Sequence, residues 1–494
     1  MERATTLTEL IEHSAATRPD APAFPGLGWA QAAALVRRLA GGLERAGIGP
    51  GDRVAIFLPN RPDFLLLLFA LARRGACAIL LNTRFRQAEL ENLLGRAQPV
   101  AIAVARDFAT VDLAAVLPAP PPSLRLVLGM DGLGAGSLAG LPVLPRAALL
   151  DGAEAADWAR PEAEALTFTT SGTTAGPKLV LHRQRSLAHH AGDVAAAIGT
   201  AAPGAALLAA VPLCGTFGLT AALAALAGAA RIDCLERFEA READAAIRAG
   251  GITHMVGGDD LLLKLAEAAG SRPYAPFAFT GFAGFHGQAD RVLAESDRLR
   301  LAARGVYGSS EAQALFAGQA PAGPHRAVGG GHPFAPAAAW RIAEDGELLL
   351  RGPSLFDRYL GNPEATAAAR TAEGWFRSGD LAAAQADGGF GFLTRRGDAL
   401  RIGGFLVSPE EIEGFLQAQP GVAAAQVVEA GGRPVAFVIP GPGYSEAALA
   451  AAARRSLARF KQPARIVALA AFPVVDGPNG PKIQRAKLRE MAAG

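Results

Sequence analysis

Short, continuous apolar runs alternate with longer segments of helical spacing through the first third of the chain. Residues 31–46 repeat their apolar positions at helical spacing, 53–58 (RVAIFL) form a bounded apolar run, and 62–74 return to a helical pattern. The same alternation predicts a strand over 76–81, a helix over 87–95 and a strand over 100–105. Strands alternating with helices build βαβ units and a largely parallel sheet. Residues 118–140, rich in proline and glycine, read as a long surface connection. The alternation resumes over 207–211, 219–226, 252–256 and 260–269. After Gly329, Gly330 and Gly331 the texture changes to short strands and turns such as GELLLRG and GGFGFLTRRGD, a small β-rich subdomain. Beyond Gly397, a helix over 409–417, strands over 423–428 and 434–439 and a helix over 445–459 suffice for a small α+β domain. The expected fold class is therefore α/β. A large N-terminal domain of βαβ subdomains plus the β-rich subdomain spans residues 1–396, and a small α+β domain spans 397–494.

Composition narrows the class of protein. The 494 residues exceed one ordinary core, so two or more domains are expected. Half of the residues are hydrophobic and 19% are charged, the profile of a folded globular chain. Lys+Arg 48 against Asp+Glu 46 leaves a net charge of +2, which argues for neither a nucleic acid nor a membrane surface as partner. The opening MERATTLTELIEHSAATRPD carries acidic residues and no apolar core, so no signal peptide is read there and a cytoplasmic location is expected. The most apolar run, 64–72, ends at Arg73 and is too short to span a bilayer. Cys77, Cys214 and Cys234 lie far apart, without metal-like spacing or a disulfide framework. Lysine is scarce: Lys178, Lys264, Lys461, Lys482 and Lys487 stand against 43 arginines. In such a chain a compact ammonium marks a site only where a motif surrounds it.

One stretch supplies such a motif. LTFTTSGTTAGPKLVLH runs from Leu166 to His182 and contains TTSGTT, five hydroxyls around one glycine, followed by Gly176, Pro177 and Lys178. A strand feeds a turn of small residues whose N–H groups and hydroxyls can approach an anion, with an ammonium at the far end. It is not a Walker loop, because Gly176 is followed by Pro177, Lys178 and Leu179. Taken alone, the stretch reads equally well as an ordinary Ser/Thr turn.

Four further segments follow it: YGSSE (Tyr307 to Glu311), GWFRSGD (Gly374 to Asp380), RRGDALRIGG (395–404) and GPNGPKIQR (477–485). Singly they read as a helix-opening turn, a surface turn and solvated charge clusters. Together, in this order and spacing, they resemble the adenylate-forming superfamily of acyl-CoA synthetases, peptide-synthetase adenylation domains and beetle luciferases. The resemblance covers nearly the whole chain, from about Leu7 to Arg489. Members join a carboxylate to the α-phosphate of ATP, release pyrophosphate, and pass the acyl group from the acyl-adenylate to a thiol. The first step brings two anions together, so positioning and charge neutralisation dominate its catalysis.

The resemblance implies a role for each residue type. Thr170, Ser171, Gly172, Thr173, Thr174 and Gly176 would hold the β- and γ-phosphates, with Lys178 nearby. Tyr307, followed by Gly308 and Ser309, would lie on the adenine face; Ser310 would touch the α-phosphate and Glu311 would hold Mg²⁺. Asp380 would accept from the ribose hydroxyls, and Arg395 would reach ribose or phosphate from the other side. Lys482 would bridge the acyl carboxylate and the α-phosphate. The small domain would rotate about Gly397 between half-reactions, withdrawing Lys482 and bringing Arg401, Gly403 and Gly404 to the thiol tunnel for coenzyme A. Lys264 and Lys461 read as surface residues.

Several positions depart from the family pattern. Ala175 and Gly176 exchange glycine with the variable residue, Leu179 replaces a glycine, Gly397 replaces an Asp or Lys, and Arg401 replaces a Lys. Pro481 intervenes between Gly480 and Lys482. VPLCGTFGL (211–219) and GFAGF (281–285) match pocket-lining segments, and Gly215, Phe217, Gly218, Gly281, Phe282, Ala283 and Phe285 imply an apolar pocket. No fixed charge for an α-amino group is evident, since Asp259 and Asp260 read as a helix N-terminus. The resemblance thus implies an ATP-, Mg²⁺- and coenzyme A-dependent ligase for an aryl, alicyclic or medium-chain carboxylic acid. Two alternatives stay open: a stand-alone adenylating enzyme that loads a carrier protein or forms an amide, and a catalytically silent nucleotide-binding homologue. The acid, the acceptor and the assembly, a homodimer included, are left open by the sequence.

Overall fold

A capping box opens the first helix: the Thr6 hydroxyl accepts from Glu9 N while the Glu9 side chain reaches back to the cap, starting Leu7–Thr17. The computed structural model describes residues 3–106, 113, 117–170, 178–284, 288–398, 400–402, 405–407, 409–457, 459–477 and 480–493. The expected helices and strands recur with shifts of a few residues at their ends. Helix Trp29–Arg45 leads to strand Arg53–Phe57, helix Pro62–Arg73 to strand Cys77–Leu80, and helix Gln87–Ala97 to strand Ala101–Val104. The apolar run 64–72 is buried throughout, within a helix that begins at Pro62, where a missing N–H costs nothing.

Two large sheets result. The first is nine-stranded, and its parallel centre runs Glu164–Thr169, Cys77–Leu80, Arg53–Phe57, Ala101–Val104, Leu126–Gly129 and Leu141–Pro145. Leu179–Arg183 and then Arg358–Tyr359 extend one edge antiparallel. The region 118–140 therefore corrects the expectation of a surface connection. Leu126–Gly129 is an interior strand of this sheet, with Val127 and Leu128 buried, because the apolar LVLG segment outweighs its Pro- and Gly-rich flanks.

The second sheet is eleven-stranded and changes character along its width. Arg231–Cys234, Ala206–Ala209, His254–Gly258, Phe279–Ala283 and Ala303–Ser309 are parallel. From Gln313–Gly318 onward the pairing is antiparallel, and it builds the expected β-rich subdomain. Helix Thr216–Ala227, apolar on all sides, packs on helix Gln184–Ile198 and on strands of this sheet. One apolar cluster runs from Leu7 to Phe390.

The C-terminal residues build their own core. Val422–Ala430 and Arg433–Pro440 pair antiparallel, Arg465–Ala468 adds a parallel strand, and helices Pro409–Gln417 and Glu446–Ser456 flank them. Two small clusters, around Ile412 and Leu416 and around Phe437 and Leu488, remain separate from the large one. The fold is thus α/β, with a large N-terminal and a small C-terminal domain. Among the described residues, no helix is long and apolar enough to cross a membrane.

Candidate active site

The glycine-hydroxyl loop joins two antiparallel strands, and its ends are pinned together. Thr170 N donates to Lys178 O at 3.0 Å, and Lys178 N donates to the Thr170 hydroxyl at 3.1 Å. Ser171, Gly172, Thr173, Thr174 and Gly176 lie outside the described residues. The Lys178 ammonium stands over the Tyr359 ring, 4.4 Å from its centroid. Tyr359 belongs to the edge strand Arg358–Tyr359, opposite Val180, and its hydroxyl donates to Glu311 Oε1 at 2.8 Å. Lys178 and Glu311, far apart in sequence, thereby share one aromatic neighbour.

The segment carrying Ser310 and Glu311 is held from beneath. Strand Ala303–Ser309 turns back into Gln313–Gly318, at whose start Gln313 and Leu315 stand at φ 61° and 58°. Positive φ is uncommon outside glycine, and in Leu315 it marks strain that neighbours must hold. Those neighbours are buried. His182 Nε2 meets Ser310 O at 2.8 Å, His190 Nε2 meets Ala314 O at 2.8 Å, and Gln313 Nε2 donates to the carbonyls of Ser186 and Ser354. Burial lowers both imidazoles to about 4, so each is neutral and donates its Nε2–H to the carbonyl. Phe356 N donates to Glu311 O at 2.7 Å, and Ser309 Oγ accepts from Ala312 N at 3.1 Å. Gly308 allows the tight return, because a Cβ there would come within 2.4 Å of Gln313 O.

Asp380 forms the polar centre of the subdomain side. Its residue is 2% exposed, its backbone N–H is held by Ser378 Oγ, and its Oδ2 accepts from the Tyr307 hydroxyl at 2.5 Å. Arg395 Nε lies 3.0 Å from Oδ1, yet among the described residues that buried oxygen accepts no hydrogen bond of good geometry. Burial pushes the Asp380 carboxyl up, while Arg395 and the Tyr307 hydroxyl pull it back down. Burial and the Asp380 charge together raise the Tyr307 hydroxyl well above its ordinary range, which keeps it a donor. The Tyr307 ring packs edge-on against Phe390 at 5.2 Å and tilted against Phe392 at 6.2 Å.

Lys482 arrives on a two-stranded ribbon, Val474–Gly477 paired with Gly480–Ile483, with Lys482 opposite Val475 and Pro481 opposite Asp476. It is half-buried, and its electrostatic neighbours are Arg395, which lowers its pKa, and Glu311, which raises it. Burial is the larger cause, and the net shift is downward. Three sequence-predicted residues from separate motifs are therefore within electrostatic range of one another. Lys487 is exposed on helix Arg485–Ala493, Lys264 pairs with Asp260, and Lys461 with Glu411.

Around Gly397, Arg396 pairs with Glu347 and Asp345, while Arg489 of the last helix donates to Gly397 O at 2.9 Å and pairs with Asp398. A Cβ at Gly397 would meet nothing within 4 Å, so this conformation alone does not demand glycine there. Arg401 falls in strand Leu400–Ile402, whereas Gly403, Gly404 and Phe285 lie outside the described residues. Gly215 caps helix Thr216–Ala227, and Phe217 and Gly218 occupy its first turn. Gly281, Phe282 and Ala283 end the parallel strand Phe279–Ala283. Phe217 and Phe282 are 5% and 1% exposed; a Cβ on Gly218 would approach Pro212 O to 2.5 Å, and one on Gly281 the Phe279 ring to 2.9 Å. Asp259 and Asp260 occupy the first turn of helix Asp259–Ala269, as their spacing predicts.

Tyr359, His182 and His190 went unnoticed in the sequence. A tyrosine in LFDRYLG and histidines beside apolar residues carry no signal that distinguishes them from ordinary core residues.

Contacts and electrostatic neighbours link Lys178 to Glu311 through Tyr359, Asp380 to Arg395, and Lys482 to Glu311 and Arg395, and relatives place the chain in a class. Residues 11–360 match the family model of the AMP-binding enzyme, and residues 411–475 match the AMP-binding enzyme C-terminal domain. The chain belongs to this adenylate-forming family. It is 33% identical over 484 residues to a methyl-dioxo-octahydroindenyl-propanoyl:CoA ligase of Mycobacterium tuberculosis, covering 92% of this chain and 91% of that protein. It is 32% identical over 455 residues to a 2-succinylbenzoate–CoA ligase of Geobacillus kaustophilus, covering 88% and 86%. Its fold is similar to that of an anthranilate CoA ligase solved with anthranoyl-AMP, with TM-score 0.83 at 20% identity over 100% of this chain and 98% of that one. It is also similar to that of an amide bond synthetase of Marinactinospora thermotolerans, with TM-score 0.78 at 23% identity over 99% and 100%.

Proposed function

We propose that this chain is an AMP-forming acid–thiol ligase. A carboxylate oxygen of the acid attacks the α-phosphorus of ATP, the bond to the β-phosphate bridge breaks and pyrophosphate leaves. The sulfur of coenzyme A then attacks the acyl carbon of the adenylate, the thiol proton is lost, and AMP departs. The observation that carries this reading is the buried Asp380 carboxylate, which takes the Tyr307 hydroxyl at 2.5 Å and has Arg395 Nε at 3.0 Å, with Lys482 an electrostatic neighbour of that same arginine and of Glu311. A buried carboxylate oxygen held by an ion pair still has lone pairs to offer, and a ribose hydroxyl suits them.

In this reading Thr170 to Thr174, Gly176 and Lys178 hold the phosphates, while Tyr307 with Gly308 and Ser309 lines the adenine. Ser310 faces the α-phosphate, Asp380 and Arg395 bind ribose, and Lys482 draws carboxylate and phosphate together. Glu311 would hold Mg²⁺. Among the described residues no group of three or more metal-ligating side chains gathers, and magnesium suits a single carboxylate completed by phosphate oxygens and water. When bound, the ion offsets phosphate charge; the chain's residues orient the reactants around it. The domain break is placed between Arg396 and Gly397, with rotation there bringing Arg401, Gly403 and Gly404 toward the thiol. A cytoplasmic location follows from the need for ATP and coenzyme A.

The named ligases of a fused-ring propanoate and of succinylbenzoate support an aryl, alicyclic or medium-chain acid, taken up beside Gly215, Phe217, Gly218, Gly281, Phe282 and Ala283. The amide-forming structural neighbour keeps an amine or a carrier-protein thiol as the alternative acceptor. The test is acid-dependent ATP–pyrophosphate exchange across aryl, alicyclic and fatty acids, followed by addition of coenzyme A. Exchange with one acid class and thioester formation are expected. ATP binding without exchange for any acid would instead favour a silent nucleotide binder.

A further inference from the structure

Tyr359 touches two charges that the sequence motifs treat separately. Its ring lies 4.4 Å beneath the Lys178 ammonium, and its hydroxyl donates to Glu311 Oε1 at 2.8 Å. Its place is set by the backbone on both sides. Val180 stands opposite Tyr359 across the sheet edge, Tyr359 N donates to the Thr366 hydroxyl at 3.0 Å, and Leu360 N donates to Leu179 O at 2.8 Å. The Phe356 ring packs on it at 4.8 Å, and the residue is 5% exposed. The pair of contacts uses both parts of a tyrosine: phenylalanine offers only the face, and serine or threonine only the hydroxyl.

We propose that Tyr359 is a positioning residue for the phosphate end of ATP, fixing the Lys178 ammonium through its ring face and the Glu311 carboxylate through its hydroxyl. The proposal rests on the adenylating reading of the site. A cation on an aromatic face is held without surrendering its N–H donors to a carboxylate, so Lys178 keeps them for phosphate oxygens. A carboxylate that accepts at one oxygen is restrained in rotation, which presents the other in a fixed direction.

The two contacts make separable predictions. Tyr359→Phe keeps the ring and removes the hydroxyl; Tyr359→Leu removes both. Calorimetric titration of ATP at a series of Mg²⁺ concentrations, with thermal unfolding alongside, reads them apart without turnover. In Tyr359→Phe, half-saturating Mg²⁺ is expected to rise by about 10-fold, with ATP affinity at saturating Mg²⁺ changed by less than about twofold. In Tyr359→Leu, ATP affinity is expected to fall by a further ~3-fold even at saturating Mg²⁺. Wild-type Mg²⁺ dependence in Tyr359→Phe would overturn the proposal. So would equal losses of Mg²⁺ and ATP affinity in both variants, tracking their unfolding temperatures, since that pattern marks a packing residue. The wild-type protein is the control: failure of the unaltered chain to bind ATP would refute the adenylating reading itself, and the role of Tyr359 with it.

Discussion

Glu311 and Lys482 are held by opposite means. On one side, Ser310 and Glu311 rest on buried partners: His182 and His190 beneath the backbone carbonyls, Gln313 bridging two more, and Tyr359 at the carboxylate. On the other, Lys482 rides a two-stranded ribbon whose valines, Val474 and Val475, are 55% and 44% exposed. The first side spends stability on strained, positive-φ residues that only a packed surround can hold. The second carries no such packed surround on its valine face. On the proposed reading, the contrast means that the groups assigned to the nucleotide are preorganised, whereas the lysine sits on an exposed element with few contacts to break.

The largest effect should come from the delivered side. Lys482→Ala is expected to lower acid-dependent pyrophosphate exchange by ~10²–10³-fold, the usual loss when one group aimed at developing charge is removed. Asp380→Asn comes next. It keeps the shape but replaces the carboxylate that Tyr307 and Arg395 address, so ATP affinity should fall by about 10- to 100-fold by calorimetry. An unchanged affinity would show that the buried carboxylate serves only the fold.

The smallest effect on activity near neutral pH, confined to stability, concerns the histidines under Ser310 and Ala314. Unfolded, each takes a proton near its ordinary 6.5; folded, burial holds it near 4. Between those values the unfolded chain binds more protons, so stability is full above about pH 6.5 and falls as pH drops toward 4. Each ring contributes up to about 3 kcal/mol to that loss. Denaturant unfolding at a series of pH values checks it, and a flat profile would mean that the rings are not buried beneath the segment.

Much of this was legible in the sequence, for a physical reason. Motifs are local in sequence, so Lys178, Glu311, Asp380, Arg395 and Lys482 were singled out by the order of segments that resembles the adenylate-forming superfamily. The βαβ alternation was equally plain, because apolar runs and helical spacing are read along the chain. Leu126–Gly129 was hidden by its proline and glycine neighbours, since burial between two parallel strands is a property of the sheet. Tyr359 and His182 were hidden for the same reason: each acts on a residue 48 or 128 positions away.

The central claim, a fixed nucleotide side and a lysine delivered only for adenylation, is tested most directly by both half-reactions in Lys482→Ala. The variant should fail to make acyl-adenylate from acid and ATP, yet convert preformed acyl-adenylate to the coenzyme A thioester at a rate near that of the unaltered chain. Equal loss of both steps would contradict the account, because it would make Lys482 part of a fixed site rather than a group brought in for one reaction and withdrawn for the next.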